Sequence, residues 1–202
     1  IETVQAELGD NNLSSILGDF FNAWSELANN PQDNALRSLV IQEGGRLASF
    51  TQELREGFTD LRTQVDEAIS NAGRTVDNLL TRVAELNRQI AVQEKGSGGA
   101  GGLRDERDLL LQELSQYMDI STNEQPNGIV DVFVGSLPVV LNNQSRGVEV
   151  DRSTVDGEQS IKLRIREDGS ILEPQSGEFG ALLESREQDV QGSITFLDDL
   201  IN

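Results

Sequence analysis

"AGRTVDNLLTRVAELNRQI", residues 72–90, decides the fold class. Its apolar positions Ala72, Val76, Leu79, Val83, Leu86 and Ile90 are spaced 4, 3, 4, 3, 4, a heptad-like seam that a helix gathers onto one side. The stripe extends back through Leu36, Leu39, Val40, Leu47, Phe50, Leu54, Phe58, Leu61, Val65 and Ile69, and it ends near Glu94. At ~1.5 Å per residue, about 60 helical residues reach roughly 90 Å. Gly44-Gly45, Gly57 and Gly73 interrupt the run and mark expected bends or points of close packing.

Upstream, Leu13, Ile16, Leu17, Phe20, Phe21, Trp24, Leu27 and Ala28 recur at helical spacing, so residues 13–28 are an amphipathic helix. The sole tryptophan, Trp24, lies on that stripe and is expected in the core. Asn29-Asn30-Pro31 ends the helix, with Asn30 as the expected cap of the next and Pro31 at its first position. Downstream, a second helix is expected from Leu103 to Met118. Its inward face is Leu103, Leu110, Leu114 and Tyr117 or Met118, packed antiparallel on the long helix.

The period then changes from helical to alternating. "GIVDVFVG" (128–135), "LPVVL" (137–141), "GVEV" (147–150) and "SIKLRI" (160–165) read as short strands, and Asp168-Gly169 centres a hairpin turn. Helix returns with Phe179, Leu183, Val190, Ile194, Leu197 and Ile201 on one face, Ser176 its expected cap. The expected fold is α+β: an elongated bundle of long antiparallel helices with a small, mostly antiparallel β insertion. Residues 1–124 with 174–202 would form the bundle domain, and 125–173 the β domain.

Composition narrows the function. The 202-residue chain is 36% hydrophobic and 4% aromatic, which suits helices with thin cores. A net charge of −19 argues against nucleic acid and anionic membranes as partners. Cysteine and histidine are both absent, which removes disulfides, thiolate zinc sites and Cys or His nucleophile–base pairs.

The glycine loop "KGSGGAGG" (95–102) opening a helix invites a phosphate-binding reading. A Walker-type loop needs Lys and Ser/Thr after its last glycine, whereas Gly102 is followed by Leu103, Arg104 and Asp105, and a helix rather than a strand precedes it. The loop is therefore read as a slack connector between antiparallel helices. Asp105, Glu106 and Asp108 point to different sides of a helix and do not converge as a catalytic pair. Asp151, Asp156, Glu158 and Asp168 lack calcium-loop spacing, and no metal or cofactor is assigned. One pattern recurs. Leu103, Asp105, Arg107 and Asp108 match Leu182, Glu184, Arg186 and Glu187 as Leu, any, acidic, any, Arg, acidic. These are read as two equivalent helix starts, each arginine able to pair with an acid about one turn before it.

Several stretches taken together resemble the flagellar hook-associated protein 1 family, whose members join bacterial hook to filament. They are "LSSILGDFFNAWSELANNPQDNALRSLVIQEGGRLASF" (13–50), "VDNLLTRVAELNRQIA" (76–91), "GLRDERDLLLQELSQYMDI" (102–120), "NGIVDVFVGSLPVVL" (127–141) and "FGALLESREQDV" (179–190). The likeness implies a non-catalytic structural subunit of an extracellular ring, exported without a cleaved signal peptide. Implied partners are the hook protein, the second junction protein, a type III export chaperone and further copies in the ring. It also implies that residues 1–202 are the middle of a longer chain, without the terminal polymerisation segments and with a short outer β region. The alternatives are a flagellin-like filament or capping protein, or another secreted coiled-coil protein; "LRDERD" alone also resembles flagellin, but "DFFNAWSELANNP" is not expected there. An enzyme would rest on the carboxylates alone.

Overall fold

The computed structural model describes residues 13–95, 99–155 and 158–201. Among the described residues three helices come first: α1 (Leu13–Asn29), α2 (Asn34–Lys95) and α3 (Gly101–Tyr117). Seven strands follow: β1 (Ile120–Glu124), β2 (Val130–Val134), β3 (Leu137–Leu141), β4 (Gln144–Ser145), β5 (Val148–Val155), β6 (Glu158–Ile165) and β7 (Ile171–Leu172). The chain closes with α4 (Gly177–Glu184), a π-helical stretch (Ser185–Gln191) and α5 (Gly192–Ile201). The class is α+β as expected, and the seam forms one continuous 62-residue helix. The centre of the glycine connector, residues 96–98, lies outside the described residues, as do Asp156 and the side chain of Glu158.

The described residues divide into two compact units, one running to Arg62 and resuming at Val190, the other Thr63–Asp189. This division differs from the expected helical and β domains. The strands have no separate core: Val132, Val139, Val140, Leu163 and Ile165 share one buried cluster with Val76, Leu80 and Val83 of α2 and Leu114 of α3. A two-layer arrangement of this kind lets thin sheets bury one face that they could not bury alone.

In the first unit, Asp33 rather than Asn30 starts α2, its Oδ1 accepting the Ala35 and Leu36 N–H groups at 2.8 and 3.3 Å. Carboxylate acceptance of free first-turn N–H groups is ordinary helix capping. Gly44 lets the Phe20 ring approach, since a Cβ there would stand 3.3 Å from it. The chain's last helix returns to this unit: Arg55 Nε donates to Asp198 Oδ1 at 2.7 Å, and Arg62 to Gln191 Oε1 at 3.3 Å. Trp24 corrects the sequence reading, being 57% exposed, with Phe21 at 63%. Only Ile16 and Ala23 of α1 are buried, because the helix's apolar stripe is wider than its neighbour covers. An open apolar groove lined by Leu17, Phe20, Phe21, Leu47 and Ala48 runs beside them.

In the second unit, α3 runs antiparallel to α2. As α3 advances from Arg104 to Arg107, its partners on α2 recede from Glu94 to Asn87. The strands form two antiparallel sheets, ordered β1-β2-β3-β4 and β5-β6-β7. Alternation explains β6: Ile161, Leu163 and Ile165 are buried, while Lys162 is exposed and Arg164 half-buried. Strand β1, paired Ile120↔Val134 to Glu124↔Val130, escapes the sequence reading because "ISTNE" has no apolar alternation.

Gly73 faces β5, where an added Cβ would sit 2.7 Å from Val150 Cγ2, whereas Gly45 and Gly57 face open space. We expect Gly45→Ala and Gly57→Ala each to stabilise the protein by about 0.5–1 kcal/mol through helix propensity. Gly73→Ala loses that gain to overpacking costing about 1–3 kcal/mol. Thermal melts of the three variants should therefore shift in opposite directions; a Gly73→Ala rise matching the other two would refute the crowding argument.

The Asp168-Gly169 turn forms as expected, with Gly169 at φ +75°. The Asp168 carboxyl is held down at about 2, first by the Ser170 backbone N–H, then by the Ser170 side chain and the Arg146 guanidinium. A carboxyl depressed in the folded state contributes stability above its unfolded value near 3.8 and loses it as pH falls through about 2. Carboxyl-detected NMR titration should accordingly place the Asp168 midpoint near 2, and a midpoint near 3.8 would contradict the turn geometry.

Candidate functional site

The recurring motif places two charged side chains inside the fold. Arg107 and Arg186, its two arginines, are the largest fully buried side chains among the described residues, at 2% and 1% exposure. Charged groups are almost never buried without partners, so each must be answered by a specific acceptor. The flanking acids do not answer them. Asp105 and Asp108 are exposed, as are Glu184 and Glu187, while Leu103 and Leu182 pack partly against the core.

Arg107 crosses from α3 to α2. Its Nη1 donates to Asn87 Oδ1 at 3.1 Å and to the Gly128 carbonyl at 2.6 Å. Asn87, fully buried, treats Val130 as a strand neighbour would: Oδ1 accepts the Val130 N–H at 3.1 Å and Nδ2 donates to the Val130 carbonyl at 2.8 Å. Nδ2 also reaches the Asn142 carbonyl at 3.2 Å. Gly128, at φ +79°, meets the second arginine of this helix start. A Cβ there would lie 2.7 Å from Arg104 Nη2 and 2.5 Å from Glu94 Oε2. Arg104 itself donates to Glu94 at 2.7 Å and pairs with Glu124, and its guanidinium holds the Glu94 carboxyl below the usual carboxylate range. Arg107 has no carboxylate within ion-pair distance among the described residues, its Nε has no acceptor there, and burial pushes its pKa down.

Arg186 performs the matching task with a different partner. Its Nε donates to Asp66 Oδ1 on α2 at 2.6 Å, and Nη2 donates to the Gln159 carbonyl on β6 at 2.8 Å. Glu187 stands 3.7 Å from Nη1 but is largely solvated. The second motif is therefore not a helix start. It begins at the end of α4 and places Arg186 in the π-helical stretch, where an i→i+5 turn resets the face that later residues present. Nor does Ser176 cap α4 with its side chain; Asp119 Oδ1 accepts the Gln175 and Ser176 N–H groups at 2.7 and 3.3 Å.

The two arrangements share one logic. Asp66 and Asn87 lie 21 residues, or three heptads, apart on α2, and each receives a motif arginine that also donates to a backbone carbonyl of the β region, Gln159 on β6 for Arg186 and Gly128 in the β1–β2 turn for Arg107. Sequence reasoning found the arginines but missed Asp66 and Asn87. Their signal was available, as polar residues beside seam positions Val65 and Leu86. Both arrangements hold elements together through hydrogen bonds from a buried guanidinium. Among the described residues there is no group of three side chains suited to a metal, and no helix long and apolar enough to cross a membrane.

Comparison with known proteins gives this arrangement a context. The profile of the family described as flagellar hook-associated protein FlgK helical domain matches residues 1–202. Flagellar hook-associated protein 1 of Bacillus subtilis is 31% identical over 156 residues, covering 75% of this chain and 31% of that protein. Its namesake from Salmonella typhimurium is 26% identical over 196 residues, covering 93% and 35%. The solved structure of the flagellar hook junction protein FlgK from Burkholderia pseudomallei matches with a TM-score of 0.77 and 25% identity, over 92% of this chain and 36% of that one. The chain thus spans about a third of the length of the curated relatives it matches.

Proposed function

Because the chain belongs to the family of the flagellar hook-associated protein FlgK helical domain, we propose that it is part of a structural subunit at the junction between hook and filament of a bacterial flagellum. The observation that carries this reading is the family match along all 202 residues, supported by the fold likeness to a hook junction protein. The buried arginines support it too, because they serve rigidity rather than turnover. In this reading the protein catalyses nothing and works outside the cell, exported without a cleaved signal peptide. Its partners are the neighbouring axial proteins, hook protein and second junction protein, together with further copies in a ring and an export chaperone before assembly.

Immunogold labelling of isolated flagella tests the placement. One band of label between hook and filament is the expected result, and label along the whole filament would transfer the protein to the filament class. Deleting the gene gives an independent check, since cells that still built normal filaments on their hooks would overturn the junction role.

A further inference from the structure

We propose that Arg107 and Arg186 are two separate latches, each controlling the local opening of one of the two sheets away from α2. The contacts fall into two sets. Arg107 and Asn87 grip only the first sheet and its turns, at Gly128, Val130 and Asn142. Arg186 and the Asp66 turn of α2 grip only the second. Arg186 holds the Gln159 carbonyl of β6, and Arg152 of β5 donates to the Asp66 carbonyl at 3.0 Å and to Ser70 Oγ at 2.6 Å.

No strand pairing joins the two sheets among the described residues. The ties between them centre on Arg146: its N–H donates to the Val139 carbonyl of β3 at 3.0 Å, its own carbonyl accepts the Glu167 N–H at 3.2 Å, and its side chain reaches the Pro138 carbonyl at 3.2 Å and pairs with Glu167 and the exposed Asp168. These ties sit at the Arg146 corner alone, and their ion-pair parts, to the exposed Glu167 and Asp168, contribute little. The other end of the second sheet has its own anchor, Asp77, which accepts the Val148 N–H at 3.0 Å and pairs with Arg166 at 2.8 Å. Release of Arg186 therefore frees the part of the sheet around residues 152–154 and 159–163, not its start. Local opening of this kind follows contiguous cooperative units, and the polar contacts mark two of them.

Amide hydrogen exchange on the full chain tests it. Arg107→Gln should speed exchange across residues 128–142 by about tenfold or more while moving residues 159–163 by less than about twofold, and Arg186→Gln should do the reverse. Equal acceleration of both segments in either variant, or no change in either, overturns the proposal. If a variant fails to fold, exchange of the unsubstituted chain in low denaturant decides. Separate opening isotherms for the two segments support the latches, and a single shared isotherm overturns them.

Discussion

Arg186→Met will lower the unfolding free energy by about 3–5 kcal/mol, read by urea denaturation. The size follows from what is left behind, not from what is removed. The Arg186 side chain is 2% exposed and that of Asp66 13%, so both charges were desolvated when the fold closed. Deleting the guanidinium strands the carboxylate without its 2.6 Å donor, and breaking a buried pair from one side costs about 3–5 kcal/mol. Replacing both partners with apolar residues of similar volume is often neutral, so Arg186→Met combined with Asp66→Leu should recover most of the loss. A single-variant loss below about 1 kcal/mol would mean that water reaches Asp66 and the pair is not truly buried. Arg107→Met is a milder case, because its partners are neutral: an orphaned carbonyl at Gly128 and a weakened Asn87 network cost about 1–3 kcal/mol.

The second large effect is expected at the entrance to α4. Gly177 has φ +77°, and a Cβ there would stand 2.7 Å from the backbone carbon and oxygen of Tyr117. Both contacts are main chain at the end of α3, which cannot rotate aside as a side chain can. Gly177→Ala combines the left-handed conformational penalty with a backbone clash, together about 2–4 kcal/mol. Gly135→Ala is the control, since Gly135 has φ +57° but nothing near its missing Cβ. That variant should carry only the conformational part, about 1–2 kcal/mol. Equal melting temperatures for the two variants would show that the chain between β7 and α4 yields without cost.

The long helix was legible because periodicity survives without knowledge of partners: the seam from Ala72 to Ile90 lies within α2 as one uninterrupted run. Strand β3, "LPVVL", falls at the expected residues 137–141 for the same reason. What the pattern could not carry was anything set by a distant neighbour. Arg107 looked like a solvated helix residue, and only the position of Gly128, 21 residues on, turns it into a buried donor. Arg186 depends on Asp66, which lies 120 residues earlier, and on a π-helical stretch that no residue type announces. Trp24 failed in the opposite sense: an apolar stripe tells which side of a helix avoids water, not whether a neighbour exists to cover all of it.

That exposed indole has a practical consequence. The chain holds one tryptophan and one tyrosine, and the two compact units have one each. Trp24 lies in the first, while Tyr117 rests against the core of the second. Selective excitation of the indole therefore reports the surroundings of α1, in the first unit, whereas the backbone signal comes from both units. A fluorescence melt and a backbone circular-dichroism melt of this protein need not coincide, and a gap between them would reflect where its chromophores sit before it says anything about folding intermediates.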